Sequence, residues 1–560
     1  MTRNKAEIDP ITLSVLWSGL VSITDDMGSA LRRTAFSEAV REGDDFSTGL
    51  FDRQARMIAQ GNLSVGHLGA MPYAVKHVLD YFPVEELRPG DCILLNDSFL
   101  GSGHYPDCYM TTPVFMDGDL VGFAVNSAHH VDMGGAVPGS QIVTGVTEAY
   151  QEGLRILPVR IIREGEIQED VMRLILGNVR LPEIVKGDLL AQRNTNAVGA
   201  QRLTKMIREY GLDVVNAAIE NILDRSEARM RELIGSIPDG IYTNEEFLDD
   251  GGVGTEPIRF YATVTVEGER IKVDFAGSSE QVASGLNSYI NYTRAYAVFA
   301  VKVFTDPHLP HNDGLIRVVD IVAPEGSFFN PTYPAPSSGR AVLQVRIFEA
   351  ICGALAQAVP QRAMAGFSHW SNPIIGGRDD RTGKKFIFYD IIMGGYGARE
   401  YKDGQEAMCP VFNGSNIPVE VQESHSPVRV RRLEIMGDTG GAGKYRGGCG
   451  VRKDLEVYAE EAVVSLLGDR HRFQPKGLFG GQPGELARTV LNPEGEAELL
   501  QSKEVKKLKR GDVLSIQLSG GGGFGDPRER DRAAVMNDVA DGYVSAKAAK
   551  ELYGVDVTES

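Results

Sequence analysis

Three histidines and an aspartate crowd one stretch of this chain, residues 102–135 (SGHYPDCYMTTPVFMDGDLVGFAVNSAHHVDMGG). His104 and Asp107 stand at its start, His129 and His130 near its end. Imidazole nitrogens together with a carboxylate oxygen form the mixed donor set that zinc, manganese or iron takes up. Three such ligands leave a position for water, whose pKa a bound metal brings towards neutrality. Whether the groups meet depends on what lies between them. Residues 111–115 are β-branched and aromatic, Met116-Asp117-Gly118-Asp119 is turn chemistry, and residues 120–126 alternate, so the stretch reads as a β-hairpin. Folding it about Asp117-Gly118 sets Asp107 beside Ala128 and His129 beside Pro106. Side chains alternate along a strand, so His129 and His130 point to opposite faces. The ideal register aligns His130 with Asp107 and His129 with His104. Pro106 cannot donate to a ladder, and Pro113 marks the first strand as an edge candidate. The hairpin brings the groups together without choosing the histidine.

Other residues border this cluster. Asp44 and Asp45 sit at the mouth of a second hairpin, residues 41–60, whose turn is Asp52-Arg53-Gln54-Ala55. Either acid offers a fourth ligand, and either serves equally as a solvated loop end. His67 lies in the loop GHLGA ahead of a helix expected at 71–79, where it lines a cleft or is a plain loop residue. Asp97 orients a ligand histidine from behind or caps a turn. Ser337-Ser338-Gly339-Arg340 precedes a helix at 342–358 and suggests an anion site or an ordinary helix cap. The phosphate-cradling pattern Gly-x-x-x-x-Gly-Lys-[Ser/Thr] occurs nowhere.

The elements that must position these groups imply an α+β, multi-domain chain. Residues 13, 16, 20, 23, 27 and 31 make one apolar stripe on a helix opened by Asp9-Pro10. Residues 167–234 read as mostly helical, and from Gly240 the apolar period changes to two. The expected division is an N-terminal mixed domain with the metal hairpin (1–165), a helical segment (166–238), an α+β middle domain (239–415) and a β-rich C-terminal domain with terminal helices (416–560). Glycine-rich runs such as GDTGGAGKYRGG and LSGGGGFGDP read as turns between strands. A length of 560 residues suits several domains. A net charge of −18 argues against a nucleic-acid partner. Five scattered cysteines without C-x-x-C spacing speak for a reducing compartment. No apolar run reaches the length of a membrane span, and MTRNKAEIDP lacks the core of a signal peptide. The cytoplasm is the expected location.

The ordered motifs DDFSTGLFD, NDSFLGSGHYPD, SAHHVDMGG, SNIPVEVQE, GGAGKYRGGCGVRKD and GGGGFGDPRERD resemble those of the hydantoinase B/5-oxoprolinase family, which also holds acetone and acetophenone carboxylase subunits. The resemblance implies a partner, a hydantoinase A-like subunit that binds ATP with magnesium and phosphorylates a carbonyl or enolate oxygen. This chain would complete the reaction, in a hetero-oligomer such as a dimer of heterodimers. In hydrolytic relatives a cyclic amide is opened (a hydantoin, an oxoproline or a lactam); in carboxylating relatives an activated ketone gains a carbon. Carried over by position, the resemblance places one divalent metal ion, zinc or manganese, on Asp45, His104, Asp107 and His129. It selects Asp45 over Asp44 and His129 over His130. His130 or Asp132 is then the expected base or supporting partner. Gly103 and Tyr105 depart from the T-H-L-P-D pattern frequent in the family, which bears on the substrate. The expected activity is ATP-dependent cyclic-amide hydrolysis, ahead of ketone carboxylation and of a non-catalytic scaffold.

Overall fold

The computed structural model describes residues 8–61, 64–101, 103–408, 411–412 and 414–557; Ser102 and Cys409 lie outside these. The N-terminal part is built on one antiparallel sheet of seven strands: β1 (Phe46–Asp52), β2 (Met57–Gln60), β3 (Cys92–Leu95), β4 (Asp107–Met116), β5 (Asp119–His129), β6 (Val159–Arg163) and β7 (Glu166–Ile167). Their spatial order is β2-β1-β5-β4-β3-β6-β7. The expected hairpin is β4–β5, and it lies at the centre of the sheet. Pro113 does not make β4 an edge strand. The ladder with β3 covers only Tyr109 to Thr111 and stops short of the proline, so no donor is missed on that side.

Both faces of this sheet are covered, and the strands alternate between two cores. Leu50, Ile58, Val121 and Ala124 pack with Leu16, Leu20 and Ile23 of the helix Pro10–Thr34 and with Leu203 and Ile207 of the helix Pro182–Tyr210. Phe51, Tyr109, Phe123 and Val125 pack with Leu68, Met71 and Val75 of the helix Val65–Tyr81. That helix begins earlier than expected, so His67 sits in its first turn and not in a loop.

The register of β4–β5 departs from the ideal hairpin. Phe115 pairs with Leu120 as expected, but Val114 pairs with Gly122, leaving Val121 as an extra residue. Beyond this bulge each partner is shifted by one, and Asp107 stands opposite His129. A one-residue shift exchanges the two faces of a strand. It turns His129 towards the helix Val65–Tyr81, together with Asp107, and His130 towards the helix Pro182–Tyr210.

The rest of the chain closes over the site. The strands Gly240–Leu248, Ile258–Glu267, Arg270–Asp274 and Val319–Val322 form a second sheet. The helices Ile290–Thr305 and Gln344–Leu355 share its core. Among the described residues three further sheets, of two, four and five strands, follow. A ladder between Ile374–Arg378 and Glu461–Ser465 crosses the boundary expected at 415/416. Among the described residues no helix is long and apolar enough to cross a membrane.

The helix Val65–Tyr81 is held against Ile290–Thr305 through Gly69, where an added Cβ would lie 2.4 Å from Ala295 Cβ and 2.6 Å from its Cα. Gly69→Ala is therefore expected to destabilise the chain by about 1–3 kcal/mol through overpacking. Gly495→Ala, placed in open space, should leave the urea midpoint unchanged. Equal midpoints for the two variants would refute the close-packing account.

Candidate metal centre

Asp107 is the hub of the cluster. Its Oδ1 lies 2.8 Å from His104 Nε2, 3.1 Å from His129 Nδ1 and 3.1 Å from His67 Nε2. Its Oδ2 pairs with the Arg340 guanidinium. Asp45, one residue before β1, stands 3.8 Å from His67 Nε2 and 3.9 Å from His129 Nδ1. Tyr389 donates its hydroxyl to Asp45 at 3.0 Å, and the Gln141 amide lies 3.2 Å from His129 Nε2. All these side chains are buried and line one small cavity of about 20 Å³, which Trp370, Phe412, Ile391 and Tyr296 also border. His104, Asp107 and His129 have the mutual spacing of metal ligands.

The donor set itself tests whether a cation fits. His104 Nδ1 lies 3.1 Å from the Ser338 carbonyl oxygen, which can only accept, so Nδ1 carries the hydrogen. Burial and the Arg340 charge push the pKa of His104 down to about 4. The neutral ring thus aims the bare lone pair of Nε2 at a carboxylate oxygen 2.8 Å away. Two lone pairs face each other at contact distance, an arrangement a shared cation resolves. Burial works to raise the Asp107 pKa, but its neighbours, the His104 and His67 rings and the Arg340 guanidinium, outweigh it and hold the carboxyl well below its ordinary range. The residues present fit a divalent metal ion.

Family comparison agrees with the motif order. The hydantoinase B/oxoprolinase model matches residues 9–527. The chain belongs to the hydantoinase B/oxoprolinase family. It is 33% identical to one component of a putative D-/L-hydantoinase of Pseudomonas sp. (strain NS671), over 99% of this chain and 96% of that one. The ATP-dependent caprolactamase crystal structure from Pseudomonas jessenii matches with a TM-score of 0.91 and 32% identity, covering 98% of this chain and 96% of that one. A nucleotide-free acetone carboxylase structure matches with a TM-score of 0.89 at 20% identity, over 98% of this chain and 79% of that one. The latter likeness is one of fold.

Of the residues singled out in this family member, Asp45, His104, Asp107 and His129 come together. Asp44 faces away and binds Arg32 and Ser415. His130 and Asp132, expected as base or supporting partner, do not reach the cavity. His130 Nε2 meets the side chain of Gln192 at 3.0 Å, across the sheet from the cluster. Asp132 accepts from the backbone of Gly134, Gly139 and Arg180 and pairs with the Arg180 guanidinium. The bulge that turns His129 inward turns His130 outward, and Asp132 is consumed by its loop. Asp97 pairs with Arg155 and caps the turn at Leu100. Tyr105 is packed among Met110, Met133 and Leu94, and Gly103 leaves room for the Arg340 side chain.

Sequence reasoning misses Gln141 and Tyr389 and leaves His67 and Arg340 undecided. Tyr389 has no motif, only a place at the end of an apolar strand. Arg340 has a signal, the run Ser337-Ser338-Gly339-Arg340. That run is tied down by Glu152, whose Oε1 accepts from the backbone N–H of both Ser337 and Ser338 at 2.7 Å. Glu152 thereby positions the carbonyl that holds His104.

Burial raises the Glu152 pKa from 4.5 to about 8, against the pull of those N–H groups. The unfolded chain loses this proton at ordinary carboxylate pH, whereas the folded chain keeps it to about 8. The stability held by the protonated form is full below the unfolded pKa and falls away as pH rises through the folded one. Glu152→Gln, which keeps the accepting oxygen, is expected to flatten this decline by up to a few kcal/mol. Urea midpoints between pH 5 and pH 8 check it; identical slopes in wild type and variant would refute the assignment.

Proposed function

We propose that this chain is the metal-bearing subunit of an ATP-dependent cyclic-amide hydrolase, working on a ring amide that a hydantoinase A-like partner activates with ATP. The observation that carries the reading is the buried convergence of Asp45, His104, Asp107 and His129, in a chain that matches caprolactamase almost end to end. An amide carbonyl is a poor electrophile, and phosphorylation of its oxygen converts that oxygen into a good leaving group. The ion, zinc or manganese, would be held by those four residues and supplies Lewis acidity and water activation.

The chain's own groups have separable tasks. The Ser338 carbonyl fixes the tautomer of His104, so that Nε2 faces the centre. Tyr389 orients Asp45, and Gln141 steadies His129. Arg340 braces Asp107 from one side and lies over the Tyr292 ring at 4.3 Å. Its fixed positive charge on the cavity wall favours an anionic substrate group. Trp370, Phe412 and Ile391 give the cavity an apolar wall beside its polar groups. A reaction that draws on ATP belongs in the cytoplasm, and the complex is read as a hetero-oligomer.

The test is the reconstituted complex with ATP and hydantoins, oxoproline and lactams. Ring opening coupled to phosphate release is expected for one class. His104→Ala should lower turnover more than about 100-fold and reduce bound metal on elemental analysis. No turnover with any of the three classes would overturn the hydrolase reading. The fold shared with acetone carboxylase favours ketone carboxylation as the second reading. Labelled bicarbonate carbon retained in a product acid would establish that alternative.

A further inference from the structure

His67 is an imidazole of the cluster that the four-residue centre leaves unused. We propose that it is a fifth protein donor to the ion, so that the centre holds three imidazoles and two carboxylates and takes five or six ligands. The inference rests on the metal-centre reading above and adds a coordination number to it.

His67 touches both carboxylates. Its Nε2 is 3.1 Å from Asp107 Oδ1, the same separation that His129 has, and 3.8 Å from Asp45 Oδ1. The side chain is buried in the first turn of the helix Val65–Tyr81. That turn is pinned where the Tyr109 hydroxyl donates to the His67 carbonyl at 3.1 Å. The ring therefore arrives at the centre on a helix braced against the sheet that carries Asp107 and His129.

The count of donors, five protein atoms around one hub, is what calls for more than four ligands. Metal–donor bonds of about 2.1 Å set neighbouring donors about 3.4 Å apart at the tetrahedral angle and about 3.0 Å apart at a right angle. Around Asp107 Oδ1 the three nitrogens stand at 2.8, 3.1 and 3.1 Å. His67 thus lies as close to the hub as His129 does, although the donors that all lie within 4.8 Å of one another are those of His104, Asp107 and His129. A tetrahedral ion would also have no place for a fifth donor that sits as near to the hub as His129 does.

The far nitrogens rank the three rings. Ligand imidazoles are anchored through the nitrogen that does not bind the metal. His104 has the Ser338 carbonyl and His129 has the Gln141 amide. His67 Nδ1 is buried with no hydrogen-bond partner among the described residues. His67 is thus the least firmly held of the three, and its removal should cost less affinity than removal of His104.

The experiment uses the full chain in its complex, with the metal exchanged for cobalt(II), and reads visible absorption and the cobalt dissociation constant. Wild type should show the weak bands of five- or six-coordinate cobalt. His67→Ala should weaken binding about tenfold and intensify the bands as coordination falls. His67→Gln, whose amide oxygen reaches a similar position, should fall between the two and covers the case in which the alanine variant does not fold. His104→Ala should weaken binding more than either. Wild-type affinity and bands in both His67 variants would overturn the proposal while leaving the metal centre standing. Intense tetrahedral bands in wild type would do the same. A wild-type complex that takes up no cobalt would overturn the metal-centre reading itself.

Discussion

One carboxylate oxygen of Asp107 is shared among three imidazoles while the other is held by a buried guanidinium, and the surrounding chain is arranged around that contact. The groups come from distant parts of the sequence: His67 from a helix, His104 from a loop, His129 from the neighbouring strand, Arg340 from the turn before another helix. Each arrives on an element with its own apolar reason to be there. The seven-stranded sheet is covered on both faces, so its strands cannot slip without exposing one core or the other. The polar cluster is precise because the apolar packing around it allows one register.

That register also explains what the sequence reveals and what it hides. The hairpin, its turn at Asp117-Gly118 and the convergence of His104, Asp107 and the double histidine are legible from strand periodicity and turn chemistry. The choice between His129 and His130 is not, because it depends on a single extra residue, Val121, which no local signal marks. The family resemblance selects His129 by position, and the bulge supplies the physical reason. The same bulge sends His130 to Gln192 on the opposite side of the sheet. Asp132 shows a second limit of sequence reading. An acid beside a histidine pair invites a catalytic role, yet here four loop and side-chain donors engage it.

Long-range partners are out of reach for a different reason. The Tyr389 hydroxyl meets Asp45 across 344 positions of sequence, and the Ser338 carbonyl meets His104 across 234. Periodicity reports the face on which a side chain lies, but not which remote segment will cover that face. His67 misleads more locally: glycines on both sides suggest a loop, whereas Gly69 is there to let two helices touch at Ala295. The glycine-rich C-terminal runs, expected as turns between strands, are instead buried segments whose backbones bond one another, as Gly441 N–H does to Gly521 O and Gly521 N–H to Gly448 O, at a spacing that leaves no room for a Cβ. The ladder joining Ile374–Arg378 to Glu461–Ser465 is not legible either, since such a pairing leaves no trace in either strand alone.

The charge carried by the cluster leads from packing to substrate. Metal ligation requires neutral imidazoles and ionised carboxylates, and on that count Asp45 and Asp107 outweigh Arg340 by one negative charge among buried side chains. Uncompensated charge is costly in such a place. A divalent cation reverses the sign and leaves one positive charge over. A site loaded as proposed would lack an anion, and the ligand that completes it would bring negative charge with it. A neutral ring amide does not, but a ring amide bearing a phosphoryl group does. On the function proposed above, a preference for an activated substrate over its unactivated parent would follow from the balance of two carboxylates, one guanidinium and one ion, before any contact with the ring is considered.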